Sequence, residues 1–296
     1  MSKRRQTSTT VNGKGRHARS TRMPRMTESN GSTPASAAPA DDVARKVARY
    51  GWVPDIPDQR DHMYAAPAYV MAKLPAACDL RQQCPPVYDQ GQLGSCTANA
   101  IAGAIEFDQM KQGLSEIFAP SRLFIYYNER VMEGTVNSDS GAQIRDGIKS
   151  VAKEGDCPED EWPYDIAKFA TKPPANCYKD AVAHRAILYQ RLTQTLSQMK
   201  ACLASGYPFV YGFSVYESFE SQAVAQNGQV PMPAPGERMI GGHAVVAVGY
   251  DNPKQVFICR NSWGDQWGDK GYFYMPYAYL LDNNLSDDLW TIRAVQ

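Results

Sequence analysis

The sequence lacks several features that would each define a class of protein. It has no apolar run near the roughly 18 residues that cross a bilayer, and its basic N-terminus is not followed by an apolar h-region. We therefore expect neither a membrane anchor nor an ordinary secretory signal, and the compartment stays open. CxxC pairs, phosphate-binding glycine loops and internal repeats are also missing. No metal or cofactor is expected.

Acidic residues are almost absent from the first 30 positions, which contain eight Lys or Arg and the single Glu28. Because residues 1–45 are also rich in Ser, Thr and Pro, they are predicted to be a disordered basic tail. Such a tail could contact phosphates, but a solvated tail is the simpler alternative, so we do not expect a nucleic-acid partner. Residues 46–74 alternate aromatics and prolines with charges, which predicts an extended strap that docks on the rest of the chain.

Histidine is scarce, with four residues, and the seven cysteines are an odd number, so one cysteine stays unpaired within a monomer. Cys96 follows the glycine-rich QGQLGS and begins a helical pattern, and a thiol at a helix start loses its proton more easily. His243 follows two glycines at the head of an apolar run. A buried structural cysteine and a core histidine are the alternative interpretations of these two residues.

The two halves of the folded part differ in periodicity. Helices are predicted from Cys96 to Gly113 and over 120–131, 143–153 and 193–204. Beyond Gly206, the short runs YPFVYGFSVY, HAVVAVGY, QVFICRN and GYFYMP are separated by turn residues and predict an antiparallel sheet. The sequence therefore predicts the α+β fold class.

Three motifs give the chain a specific resemblance. QGxxGSC ends at the Cys96 position, HAVxxVGY begins at the His243 position, and NSWGxxWGxxGY begins at Asn261. Together and in this order they are similar to the motifs of the papain family, and SDSGAQIRDGI with FAPSRLFIYYNERV resembles its bacterial members. The resemblance implies two lobes with a groove between them, a helical lobe at 75–184 and a β-rich lobe at 185–296.

The resemblance also implies roles for individual residues in a cysteine endopeptidase that acts on polypeptides. Cys96 would be the nucleophile, His243 the general base and Asn261 the residue that orients the imidazole. Gln90 would supply a side-chain donor to the oxyanion hole, and Trp263 would shield the imidazole contact from water. A solvated loop glutamine and an ordinary core aromatic are the alternatives for the last two.

The family resemblance further implies a pocket for the side chain two residues before the cleaved bond. Its apolar walls and floor would favour Leu, Val or Phe and reject Arg, unless Asp287 or Asp288 reaches that side chain. The alternative for Ile292, the implied floor, is simple core packing. The residues implied around the substrate are Gly141, Ala142, Gly241, Ala244, Trp263 and Ile292.

The chain departs from the family at several positions. Leu93 and Thr97 stand where the family often has a cysteine and an aromatic residue, and Gly242 stands where plant members often have an acid. Residues 1–74 lack the helical propeptide signature, yet the resemblance still implies a zymogen-like restraint by the strap. A noncatalytic peptide-binding relative stays open as an alternative. We expect a monomer, and a Cys157–Cys177 disulfide if the protein is exported.

Overall fold

The computed structural model describes residues 49–296, so the predicted basic tail lies outside the described residues. One seven-stranded antiparallel sheet occupies most of the second half of the chain. Its strands are β1 (Ala77–Asp79), β2 (Ala186–Arg191), β3 (Phe209–Tyr216), β4 (Met239–Asp251), β5 (Val256–Arg260), β6 (Tyr272–Pro276) and β7 (Ser286–Val295). The strand order is β2-β7-β3-β4-β5-β6, and β1 pairs with β4.

The longest helices lie in the first half. The α-helices are α1 (Ala68–Met71), α2 (Cys96–Gln112), α3 (Arg122–Glu133), α4 (Ile144–Glu154), α5 (Ala175–Ala181), α6 (Leu196–Ala204), α7 (Gln222–Asn227) and α8 (Tyr277–Leu281). The α+β class predicted from the sequence is confirmed. Among the described residues, no helix is long and apolar enough to cross a bilayer.

Helix α2 is the centre of the core. It is buried along nearly its whole length because its alanines and glycine let neighbours approach from all sides. It packs on β4 and β7 with one part of its surface and on α3 and α4 with another. The helix ends at Gly113, whose φ of 62° suits a left-handed cap. This packing brings the first residue of α2 beside β4.

The described part of the strap, residues 49–74, is mostly extended and lies against both halves. Trp52 forms a parallel bridge with Ala142, which precedes α4, and Met63 forms one with Arg191 of β2. Tyr64 is buried, and its backbone N–H donates to the carbonyl oxygen of Arg191 at 2.8 Å. The strap therefore has ordered partners on the helical side and on the sheet.

Candidate active site

The nucleophile predicted from the sequence is the first residue of α2. Cys96 follows Ser95, whose side chain makes no capping hydrogen bond, so the helix dipole is not offset by a side-chain cap. Cys96 is fully buried, and its Sγ accepts from the backbone N–H of Ala244 in β4 at 3.4 Å. The helix and the sheet therefore meet at this sulfur.

The predicted base and its orienting residue are in direct contact. His243 in β4 and Asn261, which follows β5, form a hydrogen bond of 2.8 Å between Nε2 and Oδ1. The Asn261 oxygen also accepts from the backbone N–H of Ser262 at 2.9 Å, which fixes the amide orientation. With its proton on Nε2, His243 keeps Nδ1 without a hydrogen-bond partner within residues 49–296. This nitrogen is the one available to a thiol.

Aromatic rings surround the imidazole. Trp263 is 1% exposed, and its ring centroid lies 5.1 Å from that of His243 with an angle of 31° between the planes. Phe213 meets the imidazole edge-on at 5.7 Å, and Tyr50 of the strap does so at 5.8 Å. These rings exclude water from the contact with Asn261, and a hydrogen bond is electrostatically stronger where the local dielectric is low.

Gln90 joins the nucleophile loop to the segment that carries Asn261. Its side-chain Oε1 accepts from Ser262 Oγ at 2.6 Å, and its backbone N–H donates to the Ser262 carbonyl at 2.9 Å. One N–H of its Nε2 donates to the Leu93 carbonyl at 2.9 Å, which leaves the second N–H. The buried position and these contacts differ from those of a solvated loop glutamine.

The strap passes directly over Cys96, the predicted nucleophile. Trp52 N–H donates to the Gly242 carbonyl at 2.9 Å, while the Ala142 N–H donates to the Gly51 carbonyl at 2.8 Å. The backbone N–H of Gly51 lies near Cys96 Sγ and acts to lower the pKa of this thiol. A Cβ on Gly51 would lie 1.7 Å from the Gly94 carbonyl oxygen, so only glycine fits here.

The side chain of Trp52 fills a pocket beside the nucleophile. A Cβ on Gly212 of β3 would lie 2.0 Å from the indole, which shows how closely the ring covers that strand. The indole Nε1 donates to Asp288 Oδ2 at 3.0 Å. Asp288 lies at an irregularity of β7 with a φ of 57°, and such bulges re-aim side chains. The sequence indicated this residue only as a possible partner for a basic side chain.

Three of the other residues implied around the substrate lie against the strap, and a fourth is buried in β7. Ala142 contacts the strap backbone, and a Cβ on Gly241 would lie 2.6 Å from Tyr50. Gly141, with a φ of 73°, would place a Cβ 2.1 Å from the Gly51 carbonyl oxygen. Ile292 is buried in β7 opposite Tyr189 of β2, and its role as pocket floor stays a prediction.

A cluster of charges holds the strap behind Trp52. Asp55 accepts from the backbone N–H of Arg145 at 3.0 Å and from Trp290 Nε1 at 2.9 Å, and its own N–H donates to Asp288 Oδ2 at 2.7 Å. Arg191 donates to Asp288 Oδ1 at 3.0 Å. Burial raises the pKa of Asp55, and burial together with the charge of Asp55 raises the pKa of Asp288 to about 7. The two carboxyl groups therefore resist being charged together.

Burial shifts Cys96 and His243, the predicted nucleophile and base, towards their uncharged forms. Burial raises the pKa of Cys96 to about 12, against weaker opposing hydrogen bonds from Ala244 and Gly51. Burial lowers the pKa of His243 to about 4, although the Asn261 contact acts in the other direction. Between these values the groove contains a thiol and a neutral imidazole, because a dry site disfavours separated charges.

Potential metal donors occur elsewhere. Within residues 49–296, the group of three His, Cys, Asp or Glu side chains with donor atoms within 4.8 Å of one another is Cys157, Glu161 and Cys177. None of them belongs to the catalytic group.

The chain matches a known protein family over most of its length. The profile described as papain family cysteine protease matches residues 74–283, which include Cys96, His243 and Asn261. The chain belongs to the papain family. An uncharacterized peptidase C1-like protein of Acanthamoeba polyphaga mimivirus is 50% identical over 215 residues, which are 70% of this chain and 69% of that relative.

Solved structures agree with this membership. Xylellain, a cysteine protease from Xylella fastidiosa, is 47% identical with a TM-score of 0.78 over 85% of this chain and 98% of that chain. Digestive procathepsin L 3 of Tenebrio molitor larval midgut is 18% identical with a TM-score of 0.62, covering 84% of this chain and 76% of that chain, and shows the fold alone. The papain-like two-lobe fold and cysteine peptidase activity inferred from the motifs are confirmed.

Proposed function

We propose that this papain family member is an endopeptidase that cleaves extended polypeptides through an acyl-enzyme. The Cys96 thiolate attacks the scissile carbonyl carbon, and protonated His243 gives its proton to the leaving amine. Water then hydrolyses the thioester with His243 as general base. The observation that carries the proposal is the 2.8 Å contact of His243 with Asn261 beside a cysteine at the first turn of a helix.

The oxyanion of the tetrahedral intermediate requires two donors. In this proposal they are the backbone N–H of Cys96 and the second N–H of Gln90 Nε2. The contacts of Gln90 with Leu93 and Ser262 support the role, because they fix the amide before substrate arrives. Preorganised donors stabilise developing charge without reorganisation at the moment of reaction.

The strap restrains the enzyme until it is displaced or cleaved. Support comes from the Gly51 backbone, whose N–H lies near Cys96 Sγ while its carbonyl oxygen is occupied by the Ala142 N–H at 2.8 Å. The sulfur therefore meets a donor and not a carbonyl carbon. The docked strap also keeps both catalytic groups uncharged, which lowers the nucleophilicity of the sulfur.

The pocket under Trp52 selects the substrate side chain that occupies it. Ala142, Gly241 and Ala244 form small walls in this proposal, with Ile292 as an apolar floor. When the strap leaves, Asp288 Oδ2 loses the Trp52 and Asp55 donors, whereas Oδ1 keeps Arg191. The vacated oxygen gives the pocket an acceptor for an N–H group in addition to apolar walls.

An epoxide affinity label for cysteine peptidases tests the assignment. In Trp52→Ala, which weakens strap docking, mapping should find the label on Cys96, at a faster rate than in the wild-type chain. Cys96→Ala, folded to the same thermal midpoint, should take up no label at its remaining cysteines and hydrolyse no peptide. Label distributed over several cysteines without preference would contradict the proposal. Size-exclusion chromatography of the same samples tests the expected monomer.

A further inference from the structure

Two buried cysteines outside the catalytic group lie side by side. Cys157 follows α4 and Cys177 lies in α5, and both are completely buried in a small apolar cluster with Phe124 and Ala181. Their sulfur atoms lie within 4.8 Å of each other. The residues between them form one loop, called here the 157–177 loop.

The 157–177 loop contacts the segment that precedes the nucleophile. The Tyr164 hydroxyl lies 2.5 Å from Ser95 Oγ and donates to the Gln90 carbonyl at 3.0 Å. Glu159 pairs with Arg122 at 2.6 Å, and the same guanidinium donates to the Asp89 carbonyl at 3.1 Å. Both contacts end on residues 89–95, which carry the proposed oxyanion donor.

We propose that Cys157 and Cys177 form a reversible disulfide that fastens the 157–177 loop behind residues 89–95. The oxidant is a low-molecular-weight disulfide such as oxidised glutathione. One thiolate attacks a glutathione sulfur and releases one reduced glutathione, and the second thiolate then attacks the mixed disulfide and releases another. Two thiol protons and two electrons leave the protein, and two reduced glutathione molecules receive them.

The remaining structural cysteines have other partners. Cys78 and Cys84 donate to the carbonyl oxygens of Leu203 and Leu80, Cys202 donates to that of Tyr207, and Cys259 lies 3.1 Å from Tyr211 Oη. Cys177 also donates to a carbonyl oxygen, that of Glu161 at 3.9 Å, but its sulfur lies within 4.8 Å of the Cys157 sulfur and each thiol affects the pKa of the other. This proximity makes them the pair that exchange would join.

The surroundings favour a bond between the two sulfurs over a metal ion. Among residues 49–296, three donor groups come within reach, with Glu161 exposed, whereas a closed structural zinc site uses four. Burial and the neighbouring Asp156 raise the pKa of Cys157, and burial raises that of Cys177. Raised pKa values make these thiols poor leaving groups and also reduce their thiolate fraction, so exchange at this pair is slow in both directions and equilibration with glutathione requires a long incubation.

Closing a loop of roughly 20 residues constrains the unfolded chain and should raise the thermal midpoint by about 5–10 °C. Because the loop supports residues 89–95, reduction should also speed amide hydrogen exchange there, while exchange in the central strand β4 stays unchanged.

The full-length protein is equilibrated with reduced and oxidised glutathione, its free thiols are alkylated, and its peptides are mapped without reduction. We expect Cys157 linked to Cys177 and a lower thermal midpoint after reduction. Three results would each overturn the proposal. The first is alkylation of both residues, and the second is a disulfide from either one to another cysteine. The third is zinc that stays bound through desalting and protects both thiols from alkylation until a chelator is added.

Variants isolate the bond from general effects of oxidation. Cys177→Ser should abolish the difference in midpoint between oxidised and reduced protein, while Cys202→Ser, another buried thiol, should keep it. If Cys177→Ser does not fold, the comparison of oxidised with reduced wild-type protein is the deciding test. Equal thermal midpoints and equal amide hydrogen exchange at residues 89–95 in the two redox states would refute the proposal.

Discussion

Replacing Trp52 by alanine should release the strap and activate the peptidase. Trp52 is 9% exposed, and its indole covers Gly212 closely and donates to Asp288 at 3.0 Å. Removing a buried aromatic side chain of this kind costs about 3–5 kcal/mol. Since each 1.4 kcal/mol is a factor of ten, the ratio of docked to free strap should fall by about 100-fold or more.

The assay is the initial rate of hydrolysis of a short fluorogenic peptide by full-length protein, with mass spectrometry confirming that the strap is uncut. The kcat/KM of Trp52→Ala should rise by up to about 100-fold or more, the change expected in the ratio of docked to free strap. The rise is smaller if the strap becomes free in most molecules before that limit is reached. Trp52→Phe keeps most of the apolar contact but loses the donor to Asp288. Its rise should be about tenfold, because one charge-assisted hydrogen bond contributes roughly 1.5 kcal/mol.

Val53→Ala is the matched control. Its side chain is 39% exposed, and its backbone N–H, which bonds the Ala142 carbonyl at 3.0 Å, is unaffected by the substitution. This variant should behave like the wild-type chain. A folded Trp52→Ala that is no faster than Val53→Ala would refute the idea that Trp52 holds the strap in the groove.

Three further outcomes follow from the same geometry. Asn261→Ala should lower kcat less than His243→Ala does, because orientation is only part of the base's contribution; the reverse order would reassign the roles. Burial in the docked structure lowers the pKa of His243 from its usual 6.5 to about 4, so protonation of this group should weaken docking as pH falls from 6.5 towards 4. The pKa of Asp288 is raised to about 7, so ionisation of this group should weaken docking as pH rises towards 7. The double variant with Asp55→Asn and Asp288→Asn should therefore release the strap more readily as pH falls. The measurement is kcat/KM relative to Trp52→Ala at each pH, and an unchanged pH profile would argue against this role of the two carboxyl groups. In a peptide library read on the Trp52→Ala background, Asp288→Asn should lower the turnover of Arg relative to Leu in the pocket, and an unchanged ratio would remove Asp288 from specificity.

Much of the fold could be predicted from local sequence patterns. The helices expected at 120–131, 143–153 and 193–204 occur as α3, α4 and α6 with ends shifted by at most three residues, because burial of one face sets their periodicity. Strand β7 was not predicted. Its sequence SDDLWTIRAV begins with two acids and contains an irregularity, so the alternation that marks a strand is broken at Asp288.

The proposed catalytic residues could be predicted from the sequence, whereas the docked position of the strap could not. Cys96, His243 and Asn261 lie in motifs whose order is readable along the chain. The position of Gly51 depends on how closely its backbone approaches Gly94, which is set by packing between segments far apart in sequence. A composition of prolines and aromatics indicates that a segment docks, but it does not specify the register in which it docks.

In the restraint that we propose, the strap acts on the active site through two separable physical effects. It fills the groove, which excludes a peptide, and it dries the site, which holds Cys96 and His243 uncharged. A small uncharged alkylating agent such as iodoacetamide needs little space but still needs a thiolate. If occupancy alone restrained the enzyme, Trp52→Ala would accelerate peptide hydrolysis and leave alkylation of Cys96 at neutral pH unchanged. Because the same displacement rehydrates the pair, we expect both rates to rise, with alkylation extending to a pH well below the raised pKa of the buried thiol.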